Sequence, residues 1–203
     1  MRRSPDTNPR KRPRQERSRD MDALILEAST RVLAEEGLER FTTNRVAERA
    51  GISIGSLYQY YPNKAAVLFR LHELEVETTR RRIVEVLRDE SKPQRERVFE
   101  GIRLFFETEA AEIPLRNGLA DARVPFQTSK VMSTTQSEMI SELRTFLRAV
   151  QPGPATSSEF DARFAITFVA SLAEALTNRG IQGAELRSFA DRASSMLCDH
   201  IGL

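Results

Sequence analysis

The chain has 203 residues, 40% hydrophobic and 30% charged, which is enough apolar material for a sizeable water-soluble core. We find no run of about 18 apolar residues that would predict a membrane span, and no apolar signal-peptide stretch at the N-terminus. Cys198 is the single cysteine, and only His72 and His200 accompany it, which excludes an internal disulfide and argues against a metal site. We therefore expect a cytoplasmic protein that has no metal, no cofactor and no membrane contact.

The positive charge is concentrated at the N-terminus. Residues 1–19 contain eight arginines and lysines and two acidic residues, a net charge of +6 in a chain whose total is +2. A short basic arm ahead of a near-neutral body is typical of contact with a polyanion, and the alternative is a solvated tail without a specific role. Pro5, Pro9 and Pro13 argue against a regular helix, so residues 1–18 are predicted to form a disordered arm.

Helical spacing of apolar residues follows the arm, and strand-like alternation is absent. The first helix is expected to end at Gly37 in a left-handed cap. Thr42 or Thr43 then caps a second short helix, and Ser53 caps a third. Pro62 and Asn63 form a turn before the next segment, so these three helices make up a compact N-terminal domain over residues 19–63.

Longer helices are predicted for the remainder. Their expected bounds are Lys64–Arg88, Gln94–Glu112, Pro114–Asp121, Pro125–Val150, 159–179 and 184–201, with a loop over 151–158. The predicted fold is therefore all-α with about nine helices. Residues 64–203 would form a helical bundle for regulation and dimerisation.

The stretch Thr43–Tyr61 has the pattern of a helix-turn-helix. Ala47 supplies the small residue where two helices touch, and Gly51 supplies the sharp turn four residues later. Apolar anchors flank both positions, namely Val46, Ala50, Ile52 and Leu57. The alternative from this pattern alone is an ordinary helical hairpin. All three tyrosines of the chain follow the turn, at Tyr58, Tyr60 and Tyr61. Tyrosine hydroxyls can donate to DNA phosphates, which suits a helix at a groove. One of the three, Tyr61, is instead interpreted as a core residue.

The segment from Thr42 to Phe69, centred on the sequence GISIGSLYQYYPNK, resembles the N-terminal domain of the tetracycline-repressor (TetR) family. The resemblance covers about residues 20–70. It implies an all-α homodimer that binds a near-palindromic operator in double-stranded DNA and is released by a small molecule in the C-terminal domain. It also implies phosphate contacts for Thr42, Thr43 and Lys64.

The predicted recognition helix offers few side chains that read bases. Between Ser53 and Tyr61 only Gln59 can bond an adenine in two places, although Ile54 or Ser56 suits a thymine methyl and Gly55 permits close approach. Specificity is expected to depend on these few contacts, on half-site spacing and on DNA shape. The full set of expected DNA-binding residues is Thr42, Thr43, Asn44, Ser53, Ile54, Gly55, Ser56, Tyr58, Gln59, Tyr60 and Lys64.

Two apolar surfaces are predicted in the C-terminal domain, and for each the alternative is ordinary core. The first is a dimer interface on the last two helices, with Phe164, Phe168, Ser171, Leu172, Ala175, Phe189 and Met196. The second, implied by the family resemblance, is a ligand pocket lined by Phe105, Phe106, Leu119, Phe126, Met139 and Phe168.

The sequence thus predicts a DNA-binding repressor rather than an enzyme, with itself, an operator and a small-molecule effector as partners. A second reading is a regulator whose C-terminal domain binds a protein or no ligand. A third is a helical enzyme or carrier with a fortuitous helix-turn-helix. The third lacks support, since we find no nucleophile–base pair, no Gly-rich phosphate loop and no metal spacing.

Overall fold

The computed structural model describes residues 16–121, 130–150 and 155–203, with side chains from residue 19 onward and, in the last range, from residue 159. These ranges contain helices and no strand, which confirms the predicted all-α class. The helices are α1 (Glu16–Arg40), α2 (Thr43–Ala50), α3 (Ile54–Tyr60), α4 (Lys64–Arg88), α5 (Gln94–Ala111), α6 (Ile113–Asp121), α7 (Lys130–Val150), α8 (Ala155–Thr177) and α9 (Gly183–His200).

Two helix ends differ from the sequence-based expectation. Helix α1 begins at Glu16, inside the arm predicted for residues 1–18, and the first fifteen residues lie outside the described ranges. The prediction that α1 ends at Gly37 in a left-handed cap was wrong. Gly37 has φ 76° and ψ 173°, a conformation open essentially to glycine alone, and α1 kinks there and continues to Arg40.

Two further boundaries concern the C-terminal half. The start of the seventh helix at Pro125 lies outside the described residues, as does Phe126 of the predicted pocket. The loop expected over 151–158 was wrong for its second half, because α8 already begins at Ala155. Serine and threonine favour helix N-termini as well as loops, so the composition of this stretch did not separate the two.

The helices form two compact units. The first contains α1, α2, α3, the part of α4 up to Glu75, and α6 from Pro114 onward; the second contains α4 from Val76 onward together with α5, α7, α8 and α9. Helix α4 is therefore one unbroken element that belongs to both units. After residues 76–113, which belong to the second unit, the chain returns to the first unit with α6.

The core of the first unit is apolar and fully enclosed. Its most buried members come from α1 to α4 and α6, and include Ile25, Val32, Phe41, Val46, Leu57, Tyr61, Val67, Leu68, Leu115 and Leu119. Helix α6 approaches this core closely at Gly118. A Cβ atom at that position would lie 2.6 Å from Leu38 Cδ1 and 3.0 Å from Leu68 Cδ1, so only glycine fits without displacement.

The second unit is built around α5, α8 and α9. Its buried core contains Val98, Ile102, Phe106, Phe146, Leu176, Leu186 and Leu197. Among its buried polar side chains, the Ser194 hydroxyl is satisfied within its own helix, since it donates to the Ala190 carbonyl at 2.7 Å. Ion pairs join α4 to α7, with Arg88 on Glu142 at 2.6 Å. Cys198 is also buried here, and desolvation raises the pKa of its thiol, which disfavours the reactive thiolate.

Candidate nucleic-acid interface

The turn between α2 and α3 has the geometry that the sequence predicts. Thr42 caps α2, its hydroxyl accepting from the Arg45 backbone N–H at 3.2 Å. Gly51 ends α2 in the left-handed conformation, with φ 67° and ψ 28°. Ser53 then caps α3, its hydroxyl accepting from the Ser56 N–H at 3.0 Å. Each short helix is thus capped at its start, and the buried Val46, Ala47 and Leu57 anchor the two helices in the core of the first unit.

Helix α3 presents one buried and one exposed face. Leu57 is fully buried, whereas Ile54 and Tyr58 are large apolar side chains exposed at 36% and 41%. The helix, with the sequence IGSLYQY, carries no charge. Of the predicted DNA-binding residues, the exposed ones are Thr42, Asn44, Ser53, Ile54, Gly55, Tyr58 and Gln59, and the half-buried ones are Thr43, Ser56, Tyr60 and Lys64.

The three tyrosines have different environments. Tyr61 is 1% exposed and its hydroxyl donates to the Asp22 carboxylate, so its assignment to the core is confirmed. Burial, followed by the bond to Asp22, raises the pKa of Tyr61 far above its usual value. Tyr60 is half-buried against the same core. Tyr58 is exposed, and its hydroxyl lies 3.2 Å from Thr43 Oγ1, which brings a hydroxyl of α3 to the start of α2.

The Lys64 ammonium makes internal contacts. Its Nζ donates to the Leu38 carbonyl at 3.1 Å and lies 5.6 Å from the centre of the Phe41 ring. This carbonyl belongs to the last turn of α1, where carbonyls lack a regular intrahelical donor, and it also accepts from the Phe41 backbone N–H at 3.2 Å. Sequence spacing could not reveal the contact, because the two residues are 26 positions apart.

Two arginines of α2 are paired with acidic residues of α1, an arrangement that the sequence did not reveal. Arg45 Nη1 lies 3.0 Å from Glu36 Oε2. Arg49 contacts the Glu35 carboxylate through both terminal nitrogens, one of them at 3.2 Å. The hydrogen bond with Glu35 raises the pKa of Arg49, which stays charged in any case.

The second unit displays an exposed aromatic row. Phe164 and Phe168 stack at 6.0 Å between ring centres, and Phe160, which was not among the predicted interface residues, stacks on Phe164 at 6.5 Å. Phe160 is 67% and Phe164 44% exposed, and Phe189 and Met196 of α9 are exposed as well. The other predicted interface residues are exposed (Ser171, Ala175) or half-buried (Phe168, Leu172). The spacing of four residues from Phe160 to Phe168 was the available signal.

The residues predicted to line a ligand pocket do not all lie in one cluster. Phe105, Phe106 and Phe168 belong to the apolar cluster of the second unit. Leu119 is fully buried in the core of the first unit. Met139 is half-buried on α7. The pocket as a whole stays a prediction.

Comparison with known proteins identifies the first unit. Residues 25–71 match the sequence profile of bacterial regulatory proteins of the tetR family. This range contains the whole helix-turn-helix. These residues therefore form a DNA-binding domain of the TetR type. A chain that carries this domain is a DNA-binding transcriptional regulator. Among curated protein sequences, the regulator finds no significant match.

Solved structures of similar fold cover nearly the whole regulator. The TetR-family repressor AlkX from a Dietzia species superposes with a TM-score of 0.61 at 15% identity, covering 94% of this chain and 98% of that one. The regulator FadR from Bacillus subtilis gives 0.57 at 18% identity, covering 87% and 97%. SmeT, the repressor of a Stenotrophomonas maltophilia efflux pump, gives 0.59 at 16% identity, covering 88% of each chain. At these identities the likeness shows a shared fold.

In the part of the regulator that the structure describes, no helix is both long enough and apolar enough to cross a membrane.

Proposed function

We propose that the regulator is a repressor that binds a near-palindromic operator as a homodimer and leaves it when a small apolar ligand binds its C-terminal domain. The observation that carries DNA binding is the surface formed by α2 and α3. It combines exposed hydroxyl, amide and apolar side chains with two capped helix N-termini on a rigid core.

The chemistry of this surface suits a DNA groove. The start of α2 offers the Thr43 hydroxyl and free backbone N–H groups to a phosphate, and the helix dipole favours an anion there. On α3, Gln59 can bond the edge of an adenine, and Ile54 can contact a thymine methyl. The Tyr58 hydroxyl, which lies beside that of Thr43, adds a second hydroxyl group for contact with the DNA backbone. The basic arm adds sequence-independent attraction to the same partner.

A homodimer is proposed from the exposed aromatic row on α8 and the apolar residues of α9. Four large apolar side chains on these two helices are exposed, namely Phe160, Phe164, Phe189 and Met196. Exposed apolar surface of this kind favours an interface, because water contact with it is unfavourable. A helix-turn-helix alone reads too few base pairs for selectivity, and a dimer doubles the site.

The proposed effector is apolar because the second unit is rich in aromatic and aliphatic side chains. Two proteins of similar fold support this class of ligand: FadR of Bacillus subtilis was solved with stearoyl-CoA, and SmeT with triclosan. The alternative is a C-terminal domain that binds a protein partner or no ligand.

Selection of bound sequences from a random pool of double-stranded DNA tests DNA binding and dimerisation together. We expect enrichment of two inverted half-sites with a fixed spacing, as a twofold dimer requires. Enrichment of a single unrepeated site would refute the dimeric arrangement, and no enrichment would refute the proposed function.

Release of the selected operator tests the effector. Fluorescence anisotropy of labelled operator would be followed during titration with stearoyl-CoA, with coenzyme A as the control that lacks the acyl chain. We expect the acylated compound, or another member of a panel of apolar compounds, to lower DNA affinity. Failure of the whole panel would favour the alternative.

A further inference from the structure

Every cation of the helix-turn-helix is engaged by an acceptor of α1. Residues 42–64, all within the described ranges, contain three cations: Arg45, Arg49 and Lys64. Arg45 is paired with Glu36 and Arg49 with Glu35. Lys64 donates to the Leu38 carbonyl. Two carboxylates and one backbone carbonyl near the end of α1 therefore engage the cations of the segment expected to contact DNA.

The two arginines are well placed for DNA phosphates. They stand four residues apart on α2, so their side chains share one helix face. Arg45 follows Thr43 by two residues and lies in the first turn, the end of α2 expected to meet the DNA backbone. The side chains of Arg45 and Arg49 are 49% and 35% exposed, so both guanidinium groups are at the surface.

Stability alone does not account for these pairs. Exposed ion pairs contribute little to the free energy of folding, because solvent screens them and both side chains lose freedom. Their effect on charge is larger, since each carboxylate neutralises a cation next to the expected phosphate contacts. Attraction between cations and phosphates supplies nearly all of non-specific DNA binding, whereas base contacts supply specificity.

We propose that Glu35 and Glu36 withhold Arg45 and Arg49 from DNA phosphates and thereby lower the affinity of the regulator for non-operator DNA. This inference rests on the proposed function and adds a specificity-determining role for two residues outside the helix-turn-helix. The base contacts of α3 then determine the preference for operator over non-operator DNA, because attraction between arginines and phosphates, which is the same for every sequence, stays weak.

The variant E35Q/E36Q tests this role. Binding to a non-operator duplex would be measured by fluorescence anisotropy over a range of salt concentrations. Each arginine freed to reach a phosphate should steepen the slope of log affinity against log salt by about 0.9, so the double variant should gain up to about 1.8. Affinity for non-operator DNA at low salt should rise more than affinity for the operator.

The matched control is E27Q, which removes the same charge from the same helix. Glu27 pairs with Arg31 within α1 at 2.6 Å, so its loss frees no cation of α2. E35Q and E36Q are therefore also measured singly, at equal charge to E27Q. Circular dichroism confirms that each variant folds. If E27Q steepens the slope as much as E35Q or E36Q, a general charge effect replaces the proposed one.

Removal of the arginines completes the test. R45Q/R49Q should leave the salt slope of the otherwise unchanged regulator nearly the same, and should abolish the gain in the E35Q/E36Q background. If R45Q/R49Q alone flattens the slope by the amount that E35Q/E36Q adds, the arginines already contact DNA and the inference is overturned. Absence of any DNA binding by the unchanged regulator would instead overturn the proposed function.

Discussion

The substitution Gly118→Ala should destabilise the DNA-binding unit, although alanine favours helices. In an open helix, replacing glycine by alanine stabilises the fold by about 0.5–1 kcal/mol. Here the added Cβ would lie 2.6 Å from Leu38 Cδ1 and 3.0 Å from Leu68 Cδ1, well inside normal carbon contact. Leu68 is fully buried, so its displacement would disturb neighbouring core side chains, whereas the half-buried Leu38 has more room to shift. Overpacking of a core costs about 1–3 kcal/mol, so we expect a net loss of about 0.5–2 kcal/mol.

Gly101 supplies a matched control in the second unit. It is also buried within a helix, but a Cβ there would lie 3.7 Å from Ile83 Cγ2, an ordinary contact. Gly101→Ala should therefore raise the free energy of unfolding by about 0.5–1 kcal/mol. Urea denaturation followed by circular dichroism measures both variants.

A double variant identifies the cause. Leu38→Ala removes the atom nearest to the new Cβ, so it should be less costly in the Gly118→Ala background than in the unchanged chain. The reasoning is refuted if Gly118→Ala is as stable as Gly101→Ala, or if the cost of Leu38→Ala is the same in both backgrounds.

Three further predictions concern the core tyrosine, base reading and dimerisation. Tyr61→Phe removes the donor to Asp22 and should lower the free energy of unfolding by about 1–2 kcal/mol. Because the folded state raises the pKa of Tyr61, its unfolded form loses the phenol proton first, so stability should fall as the pH rises above about 10, and this loss should diminish in Tyr61→Phe. Gln59→Ala should weaken operator binding by about 1–3 kcal/mol at one or two base positions, measured by footprinting and anisotropy. Phe164→Glu would bury a charge at the proposed dimer interface, and light scattering should then give the monomer mass of 23.0 kDa.

Two of these predictions have a matched control variant, and each has an outcome that would contradict it. The exposed Gln136 on α7 serves as the control for glutamine, and an unchanged footprint for Gln59→Ala would remove Gln59 from the recognition set. Leu24→Glu places the same charge on an exposed apolar residue of α1, and a dimer that persists in Phe164→Glu argues against the α8–α9 interface. An identical alkaline stability profile for Tyr61→Phe and the unchanged regulator would contradict the role given to the phenol.

Local patterns predicted what depends on neighbouring residues. The caps at Thr42 and Ser53 and the turn at Gly51 need only a few adjacent positions, and the structure confirms them. Among the three tyrosines, Tyr61 was predicted to be the core residue, and its 1% exposure confirms this. Helical spacing fixed the class of fold for the same reason.

Features that depend on distant residues were missed. The contact of Lys64 with Leu38 and the pairs of Arg45 and Arg49 with α1 join positions that only the folded chain brings together. The membership of α6 in the first unit depends on a fit at Gly118 that no periodicity encodes. The sequence could not show that Phe160 is exposed, because apolar residues spaced four apart on a helix occur both in a core and at an interface.

The return of α6 to the first unit has a consequence for protein engineering. The DNA-binding module is not a contiguous stretch of polypeptide, since Leu115 and Leu119 complete a core whose other members precede Glu75. A fragment that stops at Glu75 would leave apolar side chains such as Leu68 uncovered, and one that stops at Asn63 would lack the α4 part of this core as well. Chimeric regulators that exchange operator specificity therefore need to carry α6 with the N-terminal helices, or to redesign the surface that α6 covers.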